Sequence, residues 1–219
     1  LRIWARPLLR RLLAMSASPI TRSIHGATAI LASQSPERLR LLNQIGIHPQ
    51  VIVSNFEENL SKDLPVEEFV VKTAEGKLQV VVDDLREKKV LFDFVIAADT
   101  VIYFEKEIIG KPRDDEDART TLRRLSGTHH DVYSGLCIHY WDGSTSSLVE
   151  KTVVTFRDLP QSTIDSYVSR GGHRGKAGSY GIQSGGAILV KGVEGCFSNI
   201  VGLPLGRLSE ELEKKGFTL

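Results

Sequence analysis

The sequence predicts an α/β protein with a mixed sheet, folded as two lobes around a cleft. Three observations carry this expectation. As far as Gly127, apolar β-forming runs alternate with segments of helical period, the pattern of strand–helix–strand units. Two alternating strands then meet at a turn around Asp142 and Gly143, a hairpin that adds antiparallel pairing. Glycine crowds the last third, where residues 171–206 hold 11 of the 19 glycines. Such clustering marks backbone brought close to something or forced into positive φ.

The elements follow in order. Residues 1–25 are read as an N-terminal extension. Arg2, Arg6, Arg10, Arg11 and Arg22 precede the first acid, Glu37, and Leu1, Trp4, Leu8, Leu9, Leu12 and Leu13 recur at helical spacing. Arg-rich, Ser-containing, acid-free amphipathic segments have the character of organelle transit peptides. The alternative is that residues 1–14 lie upstream of the true start, because Met15 is the only methionine. Residues 26–219 form the domain proper. "ATAILAS" is a first buried strand ending near Ser33, and "SPERLRLLNQIG" is a helix with Ser35 as N-cap, Pro36 at N1 and Gly46 past its end. "HPQVIVSNF" is a second strand, followed by a loop with Glu57 and Glu58. The helix opened by Pro65 turns Phe69, Val70, Thr73, Ala74, Lys77 and Val81 inward. "VLFDFVIAADTVIYF" is a strand, and "DDEDARTTLRRLSG" a helix with acids first and arginines last, matched to its dipole. "HDVYSGLCIHYW" and "SLVEKTVVTFRDL" make the hairpin, "PQSTIDSYVSR" a short helix, and "PLGRLSEELEKKG" a closing amphipathic helix.

Composition narrows the function. A chain of 219 residues and net charge +1 has no global field that would draw nucleic acid. No apolar run is long enough for a bilayer span, so no stable membrane association is expected. Cys137 and Cys196 stand far apart in no metal-ligand spacing, and thiols so sparse suit a reducing compartment. The expected location is cytoplasmic, or mitochondrial or another organelle if residues 1–25 are a transit segment. "GGHRGKA" is not a P-loop, since three residues separate Gly171 from Gly175 and Ala177 follows Lys176. There is no zinc cluster and no G-x-S-x-G nucleophile elbow.

The informative residue is Asp99, alone in the apolar run "VIAADTVIYF". An ionised carboxylate in an apolar interior is very costly, so either a cation pairs with it or it works at the mouth of a cleft. Lys77 and Lys111 are the obvious cations, although Lys77 can also snorkel to the surface. Asp99 and Glu58 together can share a divalent ion that bridges phosphate oxygens, while Glu58 read by itself is a solvated loop acid. In "ILASQSPER" a strand runs straight into a helix N-terminus, a site that favours phosphate, with Ser33, Ser35 and Arg38 as donors. The alternative there is a plain helix cap beside a solvated arginine.

"LASQSPERLRLLNQIGI", "AADTVI", "GKPRDDEDA", "LSGTHHDVYSG", "SYGIQSGGAILV" and "NIVGLPL" resemble, in this order, the Maf (septum formation protein) family over roughly residues 28–215. The resemblance implies a strongly twisted mixed sheet with flanking helices around a deep cleft, related to the inosine triphosphatases. It implies a nucleoside triphosphate pyrophosphatase needing Mg²⁺ or Mn²⁺, with the triphosphate as partner and a homodimer as the assembly if the chain self-associates. Carried over by motif, Asp99, Glu58, Lys77, Lys111 and Arg38 are the expected catalytic residues. Glu58 and Asp99 hold the metal, and Ser33, Ser35, Thr100 and Gln183 bind substrate. The "YGIQ" form is similar to the subgroup acting on dTTP and UTP. A glutamine amide, with one donor side and one acceptor side, suits the imide edge of thymine or uracil. The chain departs from the family at Glu37, where S-P-R-R is usual, and at Ser184, where Gly is common. The rival readings are a pyrophosphatase for modified or purine nucleotides, and a nucleotide-binding regulator of cell division without turnover.

Overall fold

The computed structural model describes residues 22–218. The amphipathic stretch 1–21 lies outside the described residues. In chain order the elements are β1 (Arg22–Ser23), β2 (Ala29–Leu31), α1 (Pro36–Gln44), β3 (Gln50–Val51), α2 (Val66–Glu87), β4 (Phe94–Phe104), β5 (Glu107–Ile109), α3 (Asp115–Leu125), β6 (His129–Tyr140) and β7 (Thr145–Phe156). They continue with α4 (Gln161–Ser169), β8 (Val190–Glu194), α5 (Phe197–Val201), α6 (Leu205–Lys214) and β9 (Phe217–Thr218).

The main sheet runs β3-β2-β4-β6-β7-β8, with β5 beside β4. It is mixed, as expected: β3, β2 and β4 are parallel, while β4, β6, β7 and β8 pair antiparallel. Strand β4 is the junction. Phe94, Val95 and Ile96 pair with β2, and Ile102, Tyr103 and Phe104 pair with β5. Between these two blocks, residues 97–101 have no strand beside them on that edge, while β6 continues unbroken on the other. The sheet therefore opens at the middle of its central strand, and Asp99 is the middle residue of the opening.

Alternation decides which face each β4 side chain takes. Val95 and Ala97 join Ile30, Ala32 and Cys137 in the core under α2, where Ala74, Leu78, Val81, Val82 and Leu85 cover them. Phe94, Ile96 and Ala98 face the larger core with Leu136, Ile138 and Tyr140, closed by residues of α1, α3, α4 and α6. Asp99 continues the Val95–Ala97 row and so faces α2. That helix lies close because Gly135, opposite Asp99 on β6, has no Cβ; one there would collide with the Val70 backbone.

Several boundaries differ from the sequence expectation. The second strand is only Gln50–Val51, because its single partner β2 is itself three residues long. The chain from Val53 onward leaves the sheet and becomes cleft wall. Residues 22–25, assigned to the extension from sequence, are built into the fold. Arg22 and Ser23 pair in parallel with Phe217 and Thr218 of β9, Ile24 is buried, and the Arg22 guanidinium lies 4.3 Å above the Trp141 ring. Among the described residues no helix is long and apolar enough to cross a membrane.

Candidate active site

The opening in the sheet leads into a cleft of about 630 Å³. Ser33, Ser35, Arg38, Glu58, Lys77, Asp99, Thr100, Lys111 and Gln183 all line it, so every site residue expected from sequence reaches one place. Five separate stretches meet there: the β2–α1 turn with the start of α1, the loop before α2 with α2 itself, the middle of β4, the loop after β5, and the Gly-rich tract.

At the floor, Lys77 Nζ is 2.8 Å from Asp99 Oδ1 and 2.8 Å from Glu58 Oε1. Lys77 points inward, one turn after Thr73, so it meets Asp99 without snorkelling away. Both side chains are about nine-tenths buried, at 13% and 11% exposure, while Glu58 is half open at 53%. Glu58 arrives because Phe56 packs against the bare backbone of Gly76, one residue before Lys77. Burial pushes the Glu58 carboxyl up. The Lys77 hydrogen bond and the charges of Lys77, Lys111 and Arg38 outweigh it and hold the group below the usual carboxylate range.

Arg38 is less free than its sequence position suggests. Its Nε donates to the Gly202 carbonyl at 2.8 Å, one terminal nitrogen to Ser33 Oγ at 3.1 Å, and the other to Thr100 Oγ1 at 3.2 Å. Thr100 Oγ1 also bonds Ser134 Oγ at 2.8 Å. Burial lowers the Arg38 pKa against the opposing pull of Asp99 and Glu58, and a guanidinium stays charged even so. Arg38 thus works as a fixed cation that pins α1 to β4 and to the turn after α5. Thr100, expected to bind substrate, lines the cleft with its hydroxyl already engaged by Arg38 and Ser134. Ser35 is the helix cap, accepting from the Arg38 backbone N–H at 3.5 Å, and Ser33 Oγ accepts from the Ser35 N–H at 3.1 Å. Both serine hydroxyls keep a proton to donate into the cleft.

The structure adds residues that sequence reasoning passed over. Lys62, Arg174 and Lys176 line the cleft, and Glu37 stands among them. The tract "GGHRGKA" is not a P-loop, yet it delivers Arg174 and Lys176 to the same cavity as Lys111. Its glycine clustering was a usable signal, as was the departure of Glu37 from the family's S-P-R-R; Lys62, on a loop, carried none.

Two carboxylates converging on one wall are what a Mg²⁺ requires when phosphates and waters complete its shell. Glu58 and Asp99 fit that role. Among the described residues no group of three or more His, Cys, Asp or Glu side chains converges to form an all-protein metal cage.

A family model described as Maf-like protein matches residues 28–215. The chain belongs to the Maf family. It is 42% identical over 193 residues to a dTTP/UTP pyrophosphatase of Caldicellulosiruptor bescii, covering 87% of this chain and 96% of that one. A dTTP/UTP pyrophosphatase of Ruminiclostridium cellulolyticum is also 42% identical, over 84% of this chain and 94% of its own. The solved structure of the Staphylococcus aureus Ham1 protein aligns with a TM-score of 0.43 at 16% identity, over 60% of this chain and 72% of that chain. The matched residues of this member of the Maf family include Glu58, Lys77 and Asp99, the three side chains of the floor.

Proposed function

We propose that this Maf protein hydrolyses dTTP and UTP to the nucleoside monophosphate and pyrophosphate. One observation carries the reading: two carboxylates joined by Lys77 at the floor of a cleft ringed by cations. The names of the relatives supply the substrate class.

Hydrolysis between the α and β phosphates needs a water aligned on the α-phosphorus, a place for its proton, and charge stabilisation for the leaving pyrophosphate. Asp99, held by β4 and Lys77, accepts the proton at a carboxylate oxygen. Lys77 holds both carboxylates in position. Arg38 stands beside the floor as a fixed positive charge, and Ser33 and Ser35 donate to phosphate oxygens. Lys111, exposed on the loop after β5, faces the charge that builds on the pyrophosphate. Glu58 and Asp99 are the residues that would hold a Mg²⁺ or Mn²⁺, which when bound neutralises the triphosphate. The products balance: one water is consumed, and the P–O bond between the α and β phosphates is replaced by a new P–O bond to water oxygen.

A panel of dTTP, UTP, CTP, ATP and GTP, each assayed for pyrophosphate, tests the reading. The expected order is dTTP and UTP well, CTP less well, ATP and GTP poorly. Efficient ATP or GTP hydrolysis would contradict it. Chelation should abolish turnover and Mg²⁺ restore it; undiminished turnover in chelator would remove the metal from the account.

A further inference from the structure

The stretch "NIVGLPL" is one of the motifs shared with the family, yet none of its side chains enters the chemistry above. Its contribution to the site is a backbone atom. The Gly202 carbonyl accepts from Arg38 Nε at 2.8 Å and from Thr100 Oγ1 at 3.3 Å. The other partners of the guanidinium, Ser33 and Thr100, are hydroxyls that rotate. The carbonyl does not rotate, and it grips Nε, the nitrogen at the root of the fork. The aim of the fork therefore depends on where Gly202 stands. Gly202 takes a φ of 123°, which suits glycine. Its N–H returns to the Asn199 carbonyl at 3.0 Å and the Ser198 carbonyl at 3.2 Å, so its place is set by α5.

Helix α5 is five residues long, too short to hold its own position. Asn199 anchors it. This side chain is fully buried, and its Nδ2 lies 3.1 Å from the Val132 carbonyl of β6, 3.3 Å from the Glu150 carbonyl of β7 and 3.1 Å from Thr152 Oγ1. Backbone carbonyls only accept, so the NH₂ must face the two strands. Thr152 Oγ1 closes the knot just before the helix: it donates to the Cys196 carbonyl at 3.1 Å and accepts from the Cys196 N–H at 3.1 Å. Asn199 Oδ1, by contrast, is buried with no hydrogen-bond partner among the described residues. A buried acceptor left unpaired is costly, and an apolar side chain would avoid that cost. What the amide gives in return is its donors, which fix α5 over the Val132–Thr152 rung of the sheet.

Resting on the pyrophosphatase reading above, we infer that Asn199 is a positioning residue for the reaction: by tying α5 to the β6–β7 pair it sets the Gly202 carbonyl, and through that carbonyl the direction in which the Arg38 guanidinium meets the triphosphate. The line of contacts is continuous, from Val132, Glu150 and Thr152 to Asn199, from Asn199 to Gly202, and from Gly202 to Arg38. Asn199 itself touches no substrate.

The test is a double-mutant cycle with wild type, Asn199→Ala, Arg38→Ala and the double variant, read on kcat/KM for dTTP and on dTTP affinity by calorimetry, well below each melting temperature. Asn199→Ala should lower kcat/KM about tenfold to a hundredfold, the scale of a misplacement of about 1 Å. In the Arg38→Ala background the same change should cost less than about twofold, because the group it positions is gone. A merely structural role would act alike in both backgrounds, since a misfolded fraction is lost whether or not Arg38 is present. Equal losses in the two backgrounds, or wild-type kcat/KM in Asn199→Ala, would overturn the inference. If Asn199→Ala gives no cooperative melt, Thr152→Val, which keeps the shape and removes the hydroxyl, takes its place in the cycle under the same criterion. A wild type that binds dTTP and turns none over would overturn the pyrophosphatase reading instead, and the affinity cycle would then decide the placement of Arg38.

Discussion

Lys77 donates to Asp99 across 2.8 Å and thereby ties α2 to the open middle of β4. The acid that looks misplaced in an apolar strand is paired from the helix above it, at the one stretch of β4 that has a strand on only one side. Asp99→Asn should fold and lose turnover, by about a hundredfold or more for a preorganised charge at the reacting centre. Lys77 keeps Glu58 as a partner, so the stability cost should stay below the roughly 3–5 kcal/mol of a fully orphaned buried charge. Steady-state kinetics beside a denaturant melt check both; wild-type turnover would remove Asp99 from the chemistry.

Lys111→Ala should lower kcat about a hundredfold with little change in KM, because its charge is placed for the leaving group rather than for the base. Folding should be unaffected, since the side chain is exposed. A raised KM at normal kcat would assign Lys111 to uniform binding of the triphosphate.

Gly135→Ala tests the architecture. The new methyl would be driven into the Val70 backbone of α2, and backbone can yield only by moving the helix. Overpacking of this kind costs about 1–3 kcal/mol or more. Because Lys77 rides on α2 and Asp99 pairs with Gly135, activity should fall together with the melting temperature. Normal stability would mean that α2 is free to shift.

Much of this was legible in the sequence, and the reason is locality. The cap at Ser35, the inward face of α2 and the hairpin at Asp142 each depend on neighbours a few residues away. Asp99 stood out because its apolar neighbours offer no compensation. What the sequence hid is set by distant partners. The Arg38–Gly202 bond spans 164 positions and the Glu37–Lys176 pair 139, and no local pattern announces either. The N-terminal boundary was missed for the same reason: Arg22 and Ile24 look like the tail of a basic extension until β9 and Trp141 are set against them. The second strand was read too long because apolar alternation continues past Val51, although β2 offers it only two rungs.

His130 supplies a pH dependence separate from catalysis. Its Nε2 lies 2.9 Å from the Tyr180 hydroxyl, and burial, opposed by Asp131 and helped by His129, lowers its pKa from 6.5 to about 4. Below about pH 6.5 the unfolded chain takes up a proton that the native state refuses. Stability contributed here is therefore lost as pH falls from about 6.5 to about 4, by about 3 kcal/mol in all. The difference in unfolding free energy between wild type and His130→Asn should shrink over that interval. A difference that stays constant with pH would show that His130 takes up its proton in the fold as readily as in the unfolded chain.

The most direct test of the account is product analysis with dTTP and Mg²⁺ by phosphorus NMR. The proposed hydrolysis cuts between the α and β phosphates, so dTMP and pyrophosphate should appear in equal amounts from the first turnovers, with no dTDP. Release of dTDP and inorganic phosphate, or binding of dTTP with no turnover at all, would contradict it.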